Sequence, residues 1–127
     1  MASELRVNTL KDASGNNSVA TSVVFGGIPK SWVNFDQNNA SSTAAIRQSF
    51  NTSGITDEGT GLSAVSYTNN FSYADYGIGG AFNRTGTDDF LNTYYNHTTG
   101  LTNYQHYSSG SSADSDDIGA IVCGDLA

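Results

Sequence analysis

The stretch from residue 31 to residue 61 limits what this chain can fold into more than any other part of the sequence. It opens with SWVNF, in which large apolar residues alternate with smaller or polar ones, and it continues with AIRQSFN and SGITDEGTG. Period-2 alternation bounded by Asn, Asp and Gly clusters predicts short β-strands joined by turns. Trp32 is the only tryptophan, and one large ring in a chain with few aliphatic side chains is a natural packing centre. We therefore expect a core that contains Trp32, Phe35, Ile46 and Phe50.

The rest of the chain continues the same pattern and predicts an all-β fold. Small polar residues and 14 glycines favour turns, while aromatic residues, Val, Ile and Thr favour strands. Residues 30–127 are expected to form an antiparallel β-sandwich of about seven or eight strands, without a helix. The predicted strands lie near 31–36, 44–51, 54–57, 62–69, 74–83, 89–96, 101–107 and 117–124.

Residues 1–29 form a separate N-terminal segment in this prediction. Residues 3–10 alternate between apolar and polar side chains, and residues 19–25 are expected to form a second strand. The sequence GGIP at 26–29 then breaks the pattern in the manner of a linker. An isolated two-stranded hairpin buries little apolar surface and is marginal alone. The segment therefore needs a partner, and we expect a homotrimer, with attachment to a larger assembly through this segment.

The charge balance excludes several classes of partner. The chain has five Lys and Arg residues against 12 Asp and Glu residues, a net charge of −7. It therefore lacks a basic surface for nucleic-acid phosphates or for anionic lipids. No apolar run reaches membrane-spanning length, and residues 1–22 lack the apolar region of a signal peptide, so we expect a soluble protein made in a cytoplasm. The single cysteine, Cys123, excludes an internal disulfide and is expected to be a small buried side chain.

The order of three motifs, WVNF, AIRQSFN and SGITDEGTG, resembles a module of tail fibres and related virion proteins of tailed bacteriophages, marine ones especially. Residues 62–71 take the place of the strand that follows the turn, and Tyr76 resembles a late tyrosine of the module. The sequence departs from the module at Ser31, in an enlarged loop over 36–44 and at Thr52-Ser53-Gly54.

The resemblance covers residues 31–76 well and extends more weakly to both sides. Residues 3–18 resemble the fibre segments that precede the module, and residues 120–125 resemble its closing strand. Residues 84–112 match poorly. The resemblance implies a β-sandwich assembled as a homotrimer, made in the host cytoplasm and then carried in the virion.

The function that this resemblance implies is structural and not enzymatic. The first interpretation is a short tail fibre or similar appendage, attached through residues 1–29 to tail or baseplate proteins, with a β-domain that faces outward and can bind host-surface glycan. The alternative is a capsid decoration or tail and baseplate adaptor with a purely assembly role. A polysaccharide-degrading fibre is disfavoured, because the chain is too short for a long β-helix and offers no defensible carboxylate pair.

A cluster of tyrosine, asparagine and histidine residues is the candidate recognition surface. Tyrosine supplies a rigid stacking face with a hydroxyl, and Asn and His supply directional hydrogen bonds, a combination that suits sugar or protein recognition. The other interpretation is that alternate tyrosines fill the sandwich core or a trimer contact. We expect the surface to be bordered by Tyr94, Tyr95, Asn96, His97, Tyr104 and His106.

No catalytic residue, metal site or cofactor is expected. The adjacent carboxylates Asp88-Asp89 and Asp116-Asp117 would point to opposite faces of a strand, so neither makes an acid–base pair. The acidic loop at 113–117 lacks the spacing of an EF-hand. His97 and His106 flank a predicted hairpin but show no His-x-His pattern, which favours hydrogen-bonding surface histidines. Asp57-Glu58 is expected to shape the turn in which it lies.

Overall fold

The structure is a computed structural model that describes residues 7–15, 18–39, 45–83, 90–92 and 96–127. It is mostly antiparallel β-structure, which confirms the predicted all-β class. The elements in chain order are β1 Thr9–Lys11, β2 Ser18–Ala20, α1 Thr21–Gly27, β3 Ser31–Phe35, a 3-10 turn Gln37–Asn39, β4 Ile46–Phe50, β5 Thr52–Gly59, β6 Leu62–Tyr67, β7 Gly77–Asn83, β8 Phe90–Asn92, β9 His97–Thr98, β10 Leu101–Ser108, β11 Ser111–Ser112 and β12 Asp117–Cys123.

One sheet has four strands in the order β4-β3-β12-β7. The last strand in sequence, β12, lies between β3 and β7 and is antiparallel to both. The register places Phe50, Trp32, Ile121 and Gly79 directly opposite one another across the four strands. Residues opposite one another in a sheet point to the same face, so these four form one row.

The other sheet is organised around β6 and β10. β5 and β6 form a hairpin, β10 pairs with β6, and the short strands β8, β9 and β11 also pair with β10. The β5–β6 turn is shaped by Asp57, whose carboxylate accepts a hydrogen bond of 2.8 Å from the Gly59 amide, as predicted. Gly61 follows with φ of 73°, and a Cβ there would lie 2.6 Å from the carbonyl oxygen of His106. Only glycine fits at this position.

The two sheets share one apolar core. Val33, Phe35, Ile118 and Ala120 come from the four-stranded sheet, and they pack against side chains of the other sheet, namely Ile55, Val65 and Tyr104. Phe35 is fully buried, and Ile46 is partly buried against this cluster. The core prediction is therefore confirmed for these two residues. We call residues 30–127 the two-sheet body.

The core prediction is wrong for Trp32 and Phe50, which are 38% and 53% exposed. The inward positions of β3 are Ser31, Val33 and Phe35, all buried. Successive side chains of a strand alternate between faces, so the position between Ser31 and Val33 must point outward. Phe50 is opposite Trp32 and shares its face. The size of their rings suggested that Trp32 and Phe50 lie in the core. The face to which a side chain points depends instead on its odd or even position along the strand.

The prediction for residues 19–25 is also wrong, because only a short strand and then a helix lie there. β2 pairs with β1 and ends at Ala20. Thr21 then starts α1, with its amide and hydroxyl donating to the carbonyls of Asn8 and Val7 at 3.0 Å each. A run of three apolar residues such as VVF is too short to show whether the apolar residues repeat with the period of a strand or of a helix. Ile28, the residue before the proline, is extended, as its position requires.

The N-terminal segment exposes its apolar side chains. Val23, Phe25 and Ile28 are exposed, and so are Val7 and Leu10 of the hairpin. The helix packs mainly against β2, and β2 against β1. Within the part of the chain that the structure describes, no helix is long and apolar enough to cross a membrane.

The two-sheet body has an entry end, where the chain arrives from α1, and a far end. At the entry end, the Lys30 amide donates to the Val122 carbonyl at 2.7 Å. The strand directions place the loops 68–76 and 98–100 at this entry end. The loops 36–39, 59–61 and 109–116 lie at the far end.

Candidate recognition surface

Tyr76 fixes the geometry of the entry end. Its hydroxyl lies 2.8 Å from the Thr98 carbonyl, 2.9 Å from the Leu101 carbonyl and 2.7 Å from the Thr102 hydroxyl. One phenol thus ties the loop before β7 to the β9–β10 hairpin. These hydrogen bonds are exposed or partly buried, and together they hold the two loops in one arrangement.

An aromatic cluster surrounds Tyr76 at the entry end. The ring centroid of Tyr76 lies 4.6 Å from that of Phe71, 6.0 Å from Tyr67 and 5.6 Å from His97. The Tyr67 hydroxyl is within hydrogen-bond distance of the Thr102 hydroxyl. Burial raises the pKa of the Tyr67 phenol well above its ordinary value, so this phenol stays neutral.

Of the predicted recognition residues, the four that the structure describes do not come together on one surface. Tyr104 is 1% exposed and belongs to the shared core, and His106 is fully buried. The prediction that they border a surface is corrected, because β10 is covered on both faces along Thr102, Asn103 and Tyr104. Burial raises the pKa of the Tyr104 phenol, so it also stays neutral. The Nδ1 atom of His106 lies 2.6 Å from the Ala113 carbonyl, which makes this histidine an internal polar contact.

The other four predicted residues divide into two pairs. Tyr94 and Tyr95 lie outside the described residues. Asn96 is exposed, and His97 is half-buried in β9 against Tyr76. His97 is opposite Thr102, four residues along β10 from His106, which separates the two histidines by about 13 Å along the strand. The hairpin therefore does not join them into a metal site.

One exposed ring at the entry end was not predicted from the sequence. Tyr73 is 72% exposed, on the loop before β7. This loop is held against the β9–β10 turn by the Phe71 amide, which donates to the Thr99 carbonyl at 2.8 Å. Asn69, Asn70 and Asn96 are exposed at the same end. We name residues 69–73 and 96–100 the loop surface. It combines one exposed phenol with several amides, and of the six predicted recognition residues it contains Asn96 and His97.

The far end is acidic, and most of its carboxylates have partners within the chain. Asp114 accepts a hydrogen bond of 2.6 Å from the Gly61 amide, and Asp116 accepts one from the Asn38 side chain. Arg47 forms an ion pair with Asp117 at 3.1 Å. Among the described residues, no group of three or more His, Cys, Asp and Glu side chains is arranged to hold a metal. The carboxylates of this end therefore shape loops.

A second surface is the outer face of the four-stranded sheet. Phe50, Trp32 and Ile121 stand side by side on it, and we call these three residues the ridge. A groove of about 370 Å³ adjoins the ridge and is lined by Gly79, Gly80, Gly119 and Ile121. We call it the glycine groove. An exposed apolar row of this kind marks a contact surface more often than an accidental exposure.

Comparison with family models, with curated proteins and with solved structures gives no match for this chain.

Proposed function

We propose that this chain is a non-enzymatic structural protein of a tailed-phage virion, a short tail fibre or similar appendage. In this proposal the two-sheet body is a β-sandwich, three copies assemble as a homotrimer, and the N-terminal segment attaches them to tail or baseplate proteins. The protein is made in the host cytoplasm and resides in the virion.

The observation that carries the proposal is the exposed N-terminal segment. Its hairpin and seven-residue helix leave Val23, Phe25 and Ile28 in solvent. A helix this short is marginal in water without tertiary packing, and so is a lone hairpin. The hairpin and the helix gain this packing when another chain covers them. Attachment to a particle supplies such a chain.

The residues that carry the resemblance to phage fibres have structural roles, which supports a shared scaffold. In the ITDEGTG motif, Ile55 enters the core, Asp57 binds the turn amide and Gly61 fits where no other residue can. Tyr76, which resembles the late tyrosine, ties two loops together. These residues maintain the scaffold, whereas the loops that it carries can vary in sequence with function.

Host recognition, in this proposal, belongs to the loop surface. The Tyr73 ring is available for stacking on a sugar, and Asn69, Asn70 and Asn96 offer amide donors and acceptors. The net charge of −7 disfavours an anionic glycan and favours a neutral one. Because the loop surface lies beside the N-terminal segment, a glycan would bind along the side of the appendage and not at its tip.

A second candidate function is that of a capsid decoration or tail and baseplate adaptor with an assembly role alone. The specific observation in its favour is the burial of Tyr104 and His106, which removes two residues from the predicted recognition surface. In that case the exposed apolar ridge and the N-terminal segment account for all contacts.

Labelling of phage particles that carry this chain tests the proposal. Gold-labelled antibody against the two-sheet body should decorate the tail in electron micrographs. Label over the capsid would favour the decoration alternative. Particles purified from cells that express the chain, but found by mass spectrometry to contain no copy of it, would overturn both.

Binding to host cells then separates recognition from assembly. Tyr73→Ala combined with Asn96→Ala should weaken attachment of the purified protein while its circular dichroism stays unchanged. Unchanged attachment would remove the loop surface from the proposal and favour a purely structural role.

A further inference from the structure

The outer face of the four-stranded sheet carries two matching features on opposite halves. The ridge, on β4, β3 and β12, projects three large side chains that are 53%, 38% and 49% exposed. The glycine groove, on β12 and β7, has no side chain at Gly79, directly across from Ile121. A projecting apolar row and a groove of side-chain size therefore lie on the same face, about one strand apart.

The charges near this face do not add to the negative charge of the chain. Arg47 is paired with Asp117 at 3.1 Å and lies 3.9 Å from Asp36, and Asn34 donates to Asp117. The ridge and the residues that line the groove carry no charged group. Copies with a net charge of −7 repel one another over most of their surfaces, so a face without a net negative charge is where they can meet.

The apolar surface continues from the sheet onto the N-terminal helix. The Lys30 ammonium lies 5.7 Å from the centroid of the Phe25 ring. Lys30 is two residues before Trp32, so strand alternation places it on the outer side with the ridge. Phe25 therefore extends the ridge beyond the sheet.

The shape of this surface indicates which partner covers it. The ridge and the glycine groove are complementary features of one face, so the partner that fits both is a second copy of the chain. Four strands of about five residues present a face of roughly 300 Å², whereas a stable interface buries about 800 Å² on each partner. The contact between copies must therefore extend beyond the sheet, and the exposed side chains of α1 supply further apolar surface.

We propose that the ridge of one copy lies in the glycine groove of the next copy, and that three copies close into a ring about an axis that runs along the strands. The ridge and the groove are different surfaces, so the contact is head-to-tail, and such contacts close into rings when the rotation allows it. This inference rests on the homotrimer of the proposed function and names the surface that forms it.

Two substitutions test the two halves of the contact separately. Trp32→Ala removes the centre of the ridge. Gly79→Val fills the groove, and its Cβ would lie 3.4 Å from the Ile121 side chain, a distance that the monomer can accommodate. Gly54→Val is the matched control, because it adds the same side chain to a strand of the other sheet where nothing lies within 4 Å.

Sedimentation equilibrium at micromolar concentration gives the readout, with circular dichroism to check the fold. The wild type and Gly54→Val should have the mass of three chains, and Trp32→Ala and Gly79→Val should have the mass of one chain with an unchanged β spectrum. A wild-type trimer that survives both substitutions would overturn the surface assignment alone. A monomeric wild type would overturn both this inference and the proposed homotrimer.

A disulfide test does not depend on loss of association. Gln48, on β4 beside the ridge, and Gly79 are separated by three strand spacings, about 14 Å. A disulfide requires Cα atoms within about 7 Å, so cysteines at these two positions can join only different chains. Oxidation of Gln48→Cys, Gly79→Cys, Cys123→Ser should give a band of three chains on a non-reducing gel, and the single Gln48→Cys, Cys123→Ser variant should give none. Only single-chain bands from a protein that sediments as a trimer would contradict the proposed contact.

Discussion

The inner and outer faces of the four-stranded sheet both carry large apolar side chains, but the two sets of residues differ. On the inner face, Val33, Ile118 and Val122 are buried and all three are β-branched. On the outer face, Trp32 and Ile121 are larger on average and remain exposed. An antiparallel sheet with a single core usually has a polar outer face. The difference shows that burial accounts for the inner face alone, and the contact proposed above gives the outer face a partner.

The largest effect is expected from the inner face. Phe35→Ala should destabilise the protein by about 3–5 kcal/mol, because it removes a fully buried ring and leaves a cavity between the sheets. Urea unfolding followed by circular dichroism measures the change. A loss below about 1 kcal/mol would mean that the core can collapse around the site, and the contrast between the faces would fail.

The next effect concerns the polar contacts that hold the loops of the entry end together. Tyr76→Phe removes the hydroxyl that contacts Thr98, Leu101 and Thr102, and it should cost about 1–3 kcal/mol because one donated and one accepted hydrogen bond are lost. Amide hydrogen exchange should rise in the β9–β10 hairpin and not in β3. Tyr73→Phe, at an exposed ring, is the matched control and should leave both measurements unchanged.

A smaller effect is expected at alkaline pH. The folded pKa of Tyr67 and of Tyr104 is raised by burial, whereas an unfolded tyrosine has a pKa of about 10. The unfolded state therefore releases protons first, so this contribution to stability is complete below pH of about 10 and is lost as the pH rises further. The loss should be up to about 1 kcal/mol per tyrosine one unit above that value.

Thermal unfolding between about pH 9 and pH 11 measures this loss. The Tyr67→Phe variant should show a shallower decline of the melting temperature than the wild type. An identical decline would mean that other groups cause the alkaline destabilisation.

The smallest effect on the fold is expected from the outer face. At a dilution where the chain is monomeric, Trp32→Ala should cost less than about 1 kcal/mol, since much of the ring already contacts water. A core tryptophan would cost about 3–5 kcal/mol, which is the value that the sequence alone led us to expect. A loss as large as that of Phe35→Ala in the monomer would show that the ring packs inward after all.

The positions of the strands could be predicted well, because alternation and turn clusters are local signals. β3, β4, β6, β10 and β12 lie within their predicted ranges to a residue or two. It was harder to predict which side chains of each strand point into the core. That depends on whether the odd or the even positions face the other sheet, and the other sheet is distant in sequence. Trp32 was misassigned for this reason.

The candidate site was predicted less well than the fold. β10 is buried on both sides, and polar side chains lie inside, among them His106, whose Nδ1 is 2.6 Å from the Ala113 carbonyl. Nothing in their sequence pattern indicates this burial. The exposure of Tyr73 could have been predicted, because it lies in the short polar stretch Ser72-Tyr73-Ala74-Asp75 between two strands.

The central position of β12 also determines the order in which the protein can fold. β3 needs β12 as its neighbour, and the Asn34–Asp117 hydrogen bond across this pair joins residues 83 positions apart. During synthesis, β3 and β7 leave the ribosome long before the strand that joins them, so the four-stranded sheet forms only after residue 123 has emerged. Pairings this distant in sequence slow folding. For that interval the apolar side chains of both faces are uncovered, and the nascent chain depends on its acidic charge, or on chaperones, to avoid aggregation.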